Sequence, residues 1–195
     1  MNEATSRNNY EYLDILDRAW AHSGLARPRG GILCDVGCAS FWYAATLHTF
    51  FHPQELVGVE VEGHRLFRDG RTRIDYASGY VADLGNARFL VADYVTCQLP
   101  ADVITAWFPF LTPAAILAWR LPLSLLAPAR LFGRIYGNLR PGGLLVMVNQ
   151  GVEEELMAHQ LCNAANLRLL HRSAEQGVLS GHRASPAVVS CWTRS

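Results

Sequence analysis

Short continuous apolar runs, separated by stretches with helical spacing, are the feature that most constrains how this chain can fold. Continuous apolar runs between helices are typical of strands in a parallel sheet that is covered on both faces. Five such runs are followed by two more, joined by a Gly- and Ser-rich link (177–185) that favours an antiparallel hairpin at the sheet edge. The predicted strands are 32–36, 56–61, 89–92, 103–108, 144–149, 167–173 and 187–192.

Helical spacing of apolar residues appears between these runs. It predicts helices over 10–21, within an N-terminal extension (1–28), over 40–51 with Ser40 as N-cap, over most of 63–84, and over 152–165. With 195 residues the chain fits one domain, here 1–195. The predicted fold class is therefore α/β, a Rossmann-like doubly wound sheet.

The balance of charges bears on whether nucleic acid is a partner. The 17 Lys and Arg balance the 17 Asp and Glu, which argues against nucleic acid as the main partner. Four arginines do cluster locally, and they indicate either a basic patch or the solvated face of a helix: Arg65, Arg68, Arg71 and Arg73.

The cysteines and the N-terminus bear on compartment and metal binding. Five cysteines, an odd number with no C-x-x-C pair, indicate small buried residues in a reducing compartment, and no metal site is predicted. The polar N-terminus shows no signal-peptide pattern, which predicts a cytoplasmic location.

The turn after the first strand, Cys34 to Ser40, carries the main functional signal. Ligands of such sheets bind beyond the carboxyl ends of the strands. Gly37 permits a sharp turn and a close approach of a ligand, and Ala39 is nearly as permissive. A dinucleotide site would need a third small residue where Trp42 stands. Asp35 before the glycine instead suits a ligand that carries an ammonium and a sulfonium.

Two further acids follow the second and third predicted strands. Glu60, or Glu62 on the same side of the strand, can hold both hydroxyls of a ribose, and Glu60 is the better placed. Asp93 can accept a hydrogen bond from the amine of adenine, with Tyr94 near the ring. Acids at three consecutive strand ends indicate one nucleoside site.

From about Arg29 onward the sequence resembles the class I S-adenosylmethionine-dependent methyltransferases. The resemblance rests on the segments 33–39, 57–60, 92–93, 102–104 and 139–143. It implies seven strands in the order 3-2-1-4-5-7-6 with strand 7 antiparallel, and S-adenosylmethionine as cofactor with S-adenosylhomocysteine as product. It places Asp35 and Gly37 at the methionine end, Glu60 at the ribose and Asp93 at the adenine. The full predicted cofactor set is Asp35, Val36, Gly37, Cys38, Ala39, Glu60, Val61, Asp93, Tyr94 and Trp107.

One departure from that family concerns the turn itself. Phe41 stands where a third small residue is common, within an unusually aromatic helix start, 40–43. These rings predict a crowded cavity mouth or a cover over the substrate.

The acceptor site is predicted from the end of the fourth strand, which in this family faces the transferred methyl group. Aromatic faces there favour a cationic or flat acceptor. The predicted acceptor pocket consists of Tyr43, Trp107, Phe108 and Phe110.

An apolar segment follows, residues 109–135, predicted to be an insertion or lid. Four prolines interrupt it, so it does not predict a transmembrane helix: Pro109, Pro113, Pro122 and Pro128. Its part from Ile116 to Leu126 is a candidate lid or self-association surface, which leaves a homodimer open.

These features together predict methyl transfer from S-adenosylmethionine to a small, partly apolar acceptor molecule. Two alternatives remain open: an RNA methyltransferase that uses the arginines of 65–73, and an S-adenosylmethionine-binding module without catalysis. None of the seven histidines stands out as a general base, and no catalytic residue is assigned.

Overall fold

One seven-stranded sheet organises the computed structural model, which describes residues 3–176 and 186–194. The strands lie in the order 3-2-1-4-5-7-6, and strand 7 is antiparallel to both of its neighbours, as predicted. The link 177–185 lies outside the described residues. The strands are β1 (Ile32–Val36), β2 (Glu55–Glu60), β3 (Ala87–Val91), β4 (Ala101–Trp107), β5 (Leu139–Gln150), β6 (Leu167–Glu175) and β7 (Ala187–Arg194).

Helices cover both faces of the sheet. They are α1 (Glu3–Ser23), α2 (Ala44–Phe51), α3 (Arg73–Val81), α4 (Pro113–Ala118), α5 (Pro128–Asn138) and α6 (Gly151–Ala164). Two short 3-10 helices, Tyr94–Thr96 and Leu123–Leu125, lie in the connections.

Each face of the sheet has its own apolar core. One core packs side chains of α1 and α2 on the sheet, and the other packs those of α5 and α6. Side chains alternate along β1, so Leu33 belongs to the first core and Cys34 to the second. The same alternation turns Asp35 toward α1 and α2.

Helix α2 begins at Ala44 rather than at the predicted Ser40. Ala39 and Phe41 have positive φ angles of 51° and 55°, which a helix cannot contain. The Phe41 ring is fully buried and faces Gly58 of β2, where a Cβ would come within 2.7 Å of the ring. Gly58 therefore makes room for the large residue that departs from the family's small-residue turn.

Helix α3 is shorter than predicted. It begins at Arg73, after a capping box in which Thr72 and Asp75 exchange hydrogen bonds. The preceding residues form a tight turn, closed by an antiparallel bridge between Leu66 and Thr72. The cap and the turn satisfy the backbone locally, so a longer helix does not form.

The apolar segment, residues 109–135, contains α4, the second 3-10 helix and the first turns of α5. Pro113 and Pro128 each occupy the first turn of a helix, where proline is tolerated. No helix among the described residues is long and apolar enough to cross a membrane.

Candidate active site

A cavity of about 360 Å³ lies beyond the carboxyl ends of β1, β2 and β4, within the range typical of small-molecule sites. We call one side of the cavity its floor, which consists of Val36, Gly37, Ala39 and Glu60. The apolar segment forms the opposite side. Eight of the ten residues in the predicted cofactor set line the cavity: Val36, Gly37, Ala39, Glu60, Val61, Asp93, Tyr94 and Trp107. All four predicted acceptor residues also line it: Tyr43, Trp107, Phe108 and Phe110.

Gly37 gives the floor its open surface. Its φ of 71° lies in the region that favours glycine, and a Cβ built on it would meet no atom within 4 Å. Any side chain at this position would therefore project into the cavity.

The amides of the turn do not form an anion site. Gly37 and Cys38 both donate their N–H groups to the Val59 carbonyl oxygen, and Ala39 donates to Glu60 Oε2 at 2.9 Å. A phosphate needs free amides at such a turn. The occupied donors and the neighbouring carboxylate both disfavour a pyrophosphate here.

Asp35 does not line the cavity, so its contact with the ligand stays a prediction. Its carboxyl group is fully buried and accepts hydrogen bonds from Tyr43 Oη at 2.6 Å and Thr105 Oγ1 at 2.5 Å. Burial raises the pKa of Asp35 to about 7, although the two hydroxyl donors oppose that rise. Asp35 therefore supports the floor from below.

Tyr43 connects this buried acid to the cavity. Burial and the nearby negative charge of Asp35 raise the pKa of Tyr43 well above its ordinary value. The phenol thus keeps its proton, which it donates to Asp35, and it presents its ring to the cavity. This arrangement disfavours Tyr43 as a general base.

Cys38 is the other residue of the predicted cofactor set that lies in the core. Its side chain is fully buried, it does not line the cavity, and its sulfur lies against Gly58. Burial raises the pKa of the thiol, so the Cys38 side chain is an unreactive core group.

Glu60 lies at the cavity but is already heavily engaged. Besides the Ala39 amide on Oε2, its Oε1 accepts from the Glu62 amide at 2.9 Å and lies 3.1 Å from Arg73 Nη1. A carboxylate offers about four lone-pair positions, of which three are filled. Glu62 pairs instead with Arg65 at 3.0 Å and does not line the cavity.

Arg73 is a cavity residue that the sequence reasoning missed. Only 4% of it is exposed, and its guanidinium lies 5.4 Å from the centre of the Trp119 ring of the apolar segment. The capping box of Thr72 and Asp75 places Arg73 at the first position of α3, pointing back to β2. The Thr72 and Asp75 pattern in the sequence is the signal that could have indicated a helix start at Arg73. The prediction of a longer helix over most of 63–84 left it unused.

Asp93 follows β3 and is exposed at the cavity edge. Its Oδ1 accepts the Val95 amide and caps the first 3-10 helix, while Oδ2 forms no hydrogen bond with a described residue. Tyr94, the next residue, is buried beside it.

Aromatic rings form the far wall of the cavity. Tyr12 of α1 stacks on Trp107 with ring centres 4.2 Å apart, and its ring lies 4.8 Å from that of Trp42. Phe108 adopts a positive φ of 50° at the end of β4. Tyr12 and Trp42 were not predicted as cavity residues. Among the described residues, no group of three or more His, Cys, Asp or Glu side chains has a metal-binding arrangement.

Comparison with known proteins identifies the fold. No family model matches the sequence, and no curated protein matches it. Solved structures do match in fold. An S-adenosylmethionine-dependent methyltransferase from Aquifex aeolicus is 15% identical, with a TM-score of 0.66 over 98% of this chain and 97% of its own.

Two further structures agree with this match. A methyltransferase of the same cofactor dependence from Clostridium acetobutylicum is 9% identical (TM-score 0.62, covering 96% and 92%). Geranyl diphosphate C-methyltransferase from Streptomyces coelicolor is 13% identical (TM-score 0.60, covering 92% and 78%). The chain therefore has the class I S-adenosylmethionine-dependent methyltransferase fold.

Proposed function

We propose that this protein is a methyltransferase that transfers a methyl group from S-adenosylmethionine to a small, partly apolar acceptor. The observation that carries the proposal is the floor. An open glycine, the occupied amides of Gly37, Cys38 and Ala39, and the carboxylates of Glu60 and Asp93 disfavour a phosphate and suit a cationic nucleoside. The resemblance of the fold to methyltransferases supports the same conclusion.

The residues present fit this cofactor. The space above Gly37 admits a ligand that touches the backbone, and Glu60 retains about one acceptor position for a ribose hydroxyl. The guanidinium of Arg73 can donate to the other hydroxyl oxygen. Glu60 and Arg73 would then bind one ribose hydroxyl each, instead of Glu60 binding both. Asp93 Oδ2 is available to the adenine amine.

When bound, S-adenosylmethionine supplies an electrophilic methyl group on a sulfonium. Tyr12, Trp42, Trp107 and Phe108 then orient the acceptor and exclude water, and their faces attract positive charge. Positioning alone can supply much of the rate of such a transfer. Tyr43 keeps its proton, so it does not deprotonate the acceptor. The proposed acceptor atom is therefore a nucleophile that already has a free lone pair when it binds.

Calorimetric titration tests the cofactor assignment. We expect the wild-type protein to bind S-adenosylmethionine and S-adenosylhomocysteine but not NAD. Gly37→Val should abolish that binding, since its side chain would fill the cavity. Gly24→Val is the matched control: Gly24 has a similar φ of 67° and open space around it, but lies outside the cavity.

Binding of NAD without S-adenosylhomocysteine would refute the assignment. Equal loss of binding in the two glycine variants would show that backbone strain, not occupancy of the cavity, is responsible.

A further inference from the structure

Five large apolar side chains are exposed on the apolar segment and on the turn before α3 that is hydrogen-bonded to it. We call them the apolar rim: Leu66, Phe67, Leu117, Trp119 and Leu123, which are 66%, 39%, 56%, 44% and 51% exposed. They come from two separate stretches, the turn before α3 and the apolar segment. Monomeric proteins rarely place several such residues together without a binding partner.

The two stretches are joined and held in shape. Arg65 Nη1 donates to the Trp119 carbonyl oxygen at 3.0 Å, which links the turn to the end of α4. The bridge from Leu66 to Thr72 and the contact of the Phe67 and Tyr76 rings fix the tip of the turn. The rim is therefore a built surface of preformed geometry.

The charges beside the rim have a positive excess. Arg68 and Arg120 are exposed and form no ion pair with a described residue. Arg71 is also exposed, so three arginines outnumber the carboxylates of Asp69 and Asp75, which keep their charge while they accept from Tyr76 and cap α3. Apolar side chains flanked by free arginines complement a surface that is apolar inside and anionic outside.

A second exposed apolar group shows the contrast. Val152, Leu156 and Met157 lie on α6, but the acids Glu153 and Glu154 accompany them. An anionic surface would repel that face. The rim combines exposed apolar groups with an excess of positive charge, and its Trp119 lines the cavity.

We propose that the rim docks this protein on an anionic lipid bilayer surface, with Leu66, Phe67, Leu117, Trp119 and Leu123 in the interfacial layer. The apolar segment has apolar side chains on both sides, because Ile116, Leu121 and Leu125 line the cavity while Leu117 and Leu123 face outward. If the proposed function holds, this surface lets an amphiphilic acceptor pass from the bilayer into the cavity.

Vesicle flotation of the full-length protein, without cofactor, tests the docking. We expect flotation with vesicles that mix phosphatidylglycerol and phosphatidylcholine, and much weaker flotation with phosphatidylcholine alone. Leu66→Glu combined with Leu117→Glu should lower partitioning about tenfold or more. Leu156→Glu, an equally exposed leucine on α6, is the matched control and should float as the wild type does.

The arginines give a second, independent readout. Arg68→Gln with Arg120→Gln should lower partitioning to the anionic vesicles by about fivefold for each arginine, since each contributes about 1 kcal/mol near such a surface. Arg168→Gln, an exposed arginine on β6, is the control. Thermal unfolding of each variant verifies that these exposed changes leave the fold intact.

Three outcomes would overturn the docking proposal. The wild type could fail to float with either vesicle. The leucine variant could break a dimer in sedimentation velocity while its flotation is unchanged, which would assign the rim to a second copy. A short RNA could bind through the same arginines without flotation. Failure of the proposed function appears separately, as loss of S-adenosylhomocysteine binding in calorimetry.

Discussion

The cavity floor and the apolar segment form opposite sides of one cavity but are stabilised in different ways. The floor is fixed by hydrogen bonds: three turn amides and two oxygens of Glu60 all have partners. The apolar segment is attached to the turn before α3 mainly through Trp119, whose carbonyl oxygen meets Arg65 and whose ring meets Arg73. The floor holds polar groups in one geometry by hydrogen bonds, whereas the segment is held by apolar burial, with Leu111, Ile116 and Leu121 at most 6% exposed.

This difference separates two parts of the proposed function. A rigid polar floor suits recognition of one invariant cofactor, since its groups are already oriented before binding. A cover held by non-directional apolar contacts suits an acceptor with a large apolar surface. Substitutions in the floor should therefore lower stability as well as binding, while substitutions of the exposed side chains of the segment should change binding kinetics with little effect on stability.

The largest expected effect is that of Glu60→Ala. The change leaves Arg73 buried without its closest carboxylate, with only Glu62 at 3.8 Å, and breaking a buried pair in this way costs about 3 kcal/mol or more. Chemical denaturation should show that loss in the free energy of unfolding. Calorimetry should show that S-adenosylhomocysteine no longer binds.

The double variant Glu60→Ala, Arg73→Met separates the two effects. It removes the unpaired charge, so we expect much of the stability to return while binding stays lost. Recovery of binding in the double variant would contradict the role proposed for Glu60.

The second effect is the pH dependence caused by Asp35. Its folded-state pKa is raised from 3.8 to about 7, so the folded protein binds more protons than the unfolded chain between these values. The stability that Asp35 contributes is present below pH 4 and is lost as the pH rises through 7. Compared with Asp35→Asn, the wild type should lose roughly 2–3 kcal/mol between about pH 5 and pH 8.

Urea denaturation of both proteins across this range measures that difference, because all other groups titrate in both. Parallel curves for the two proteins would show that Asp35 is ionised over the whole range and that burial does not dominate its pKa.

The third effect is that of Tyr43→Phe. It deprives the buried Asp35 of a donor, which should lower the free energy of unfolding by about 1–2 kcal/mol and raise the pKa of Asp35 further. Tyr76→Phe is the matched control, since Tyr76 donates to the exposed Asp69. Equal losses in the free energy of unfolding would show that burial does not make the hydrogen bond from Tyr43 to Asp35 more stabilising than the exposed one from Tyr76 to Asp69.

The floor was more predictable from sequence than the rest of the cavity. Strand periodicity and the resemblance place Gly37, Glu60 and Asp93 at neighbouring strand ends, because parallel strands end at one edge of the sheet. The direction of Asp35 was available in principle: it alternates with Cys34 and shares a side with Leu33, which is a core residue. The signal of an acid before a glycine outweighed that alternation in the sequence reasoning.

Other cavity residues left no local signal. Tyr12 reaches the cavity from a helix outside the part of the chain that carries the resemblance, and it does so only because α1 packs on the sheet. The path of the apolar segment depends on tertiary contacts such as that between Arg65 and the Trp119 carbonyl oxygen. Hydrophobicity alone leaves lid, core and interface indistinguishable there.

The smallest expected effect on stability is that of Trp119→Ala. The ring is 44% exposed and contacts the Arg73 guanidinium and the Phe110 ring, contributions worth less than about 1 kcal/mol at such exposure. The hydrogen bond from Arg65 to the backbone of residue 119 survives the change. The cover over Glu60 and Arg73 is nevertheless removed, so we expect S-adenosylhomocysteine to dissociate about tenfold faster in stopped-flow experiments.

Leu117→Ala, on the same helix but outside the cavity, should leave the dissociation rate unchanged. Identical dissociation rates for the wild type and both variants would mean that the apolar segment does not cover the cofactor. The proposed division of function between floor and segment would then be wrong at Trp119.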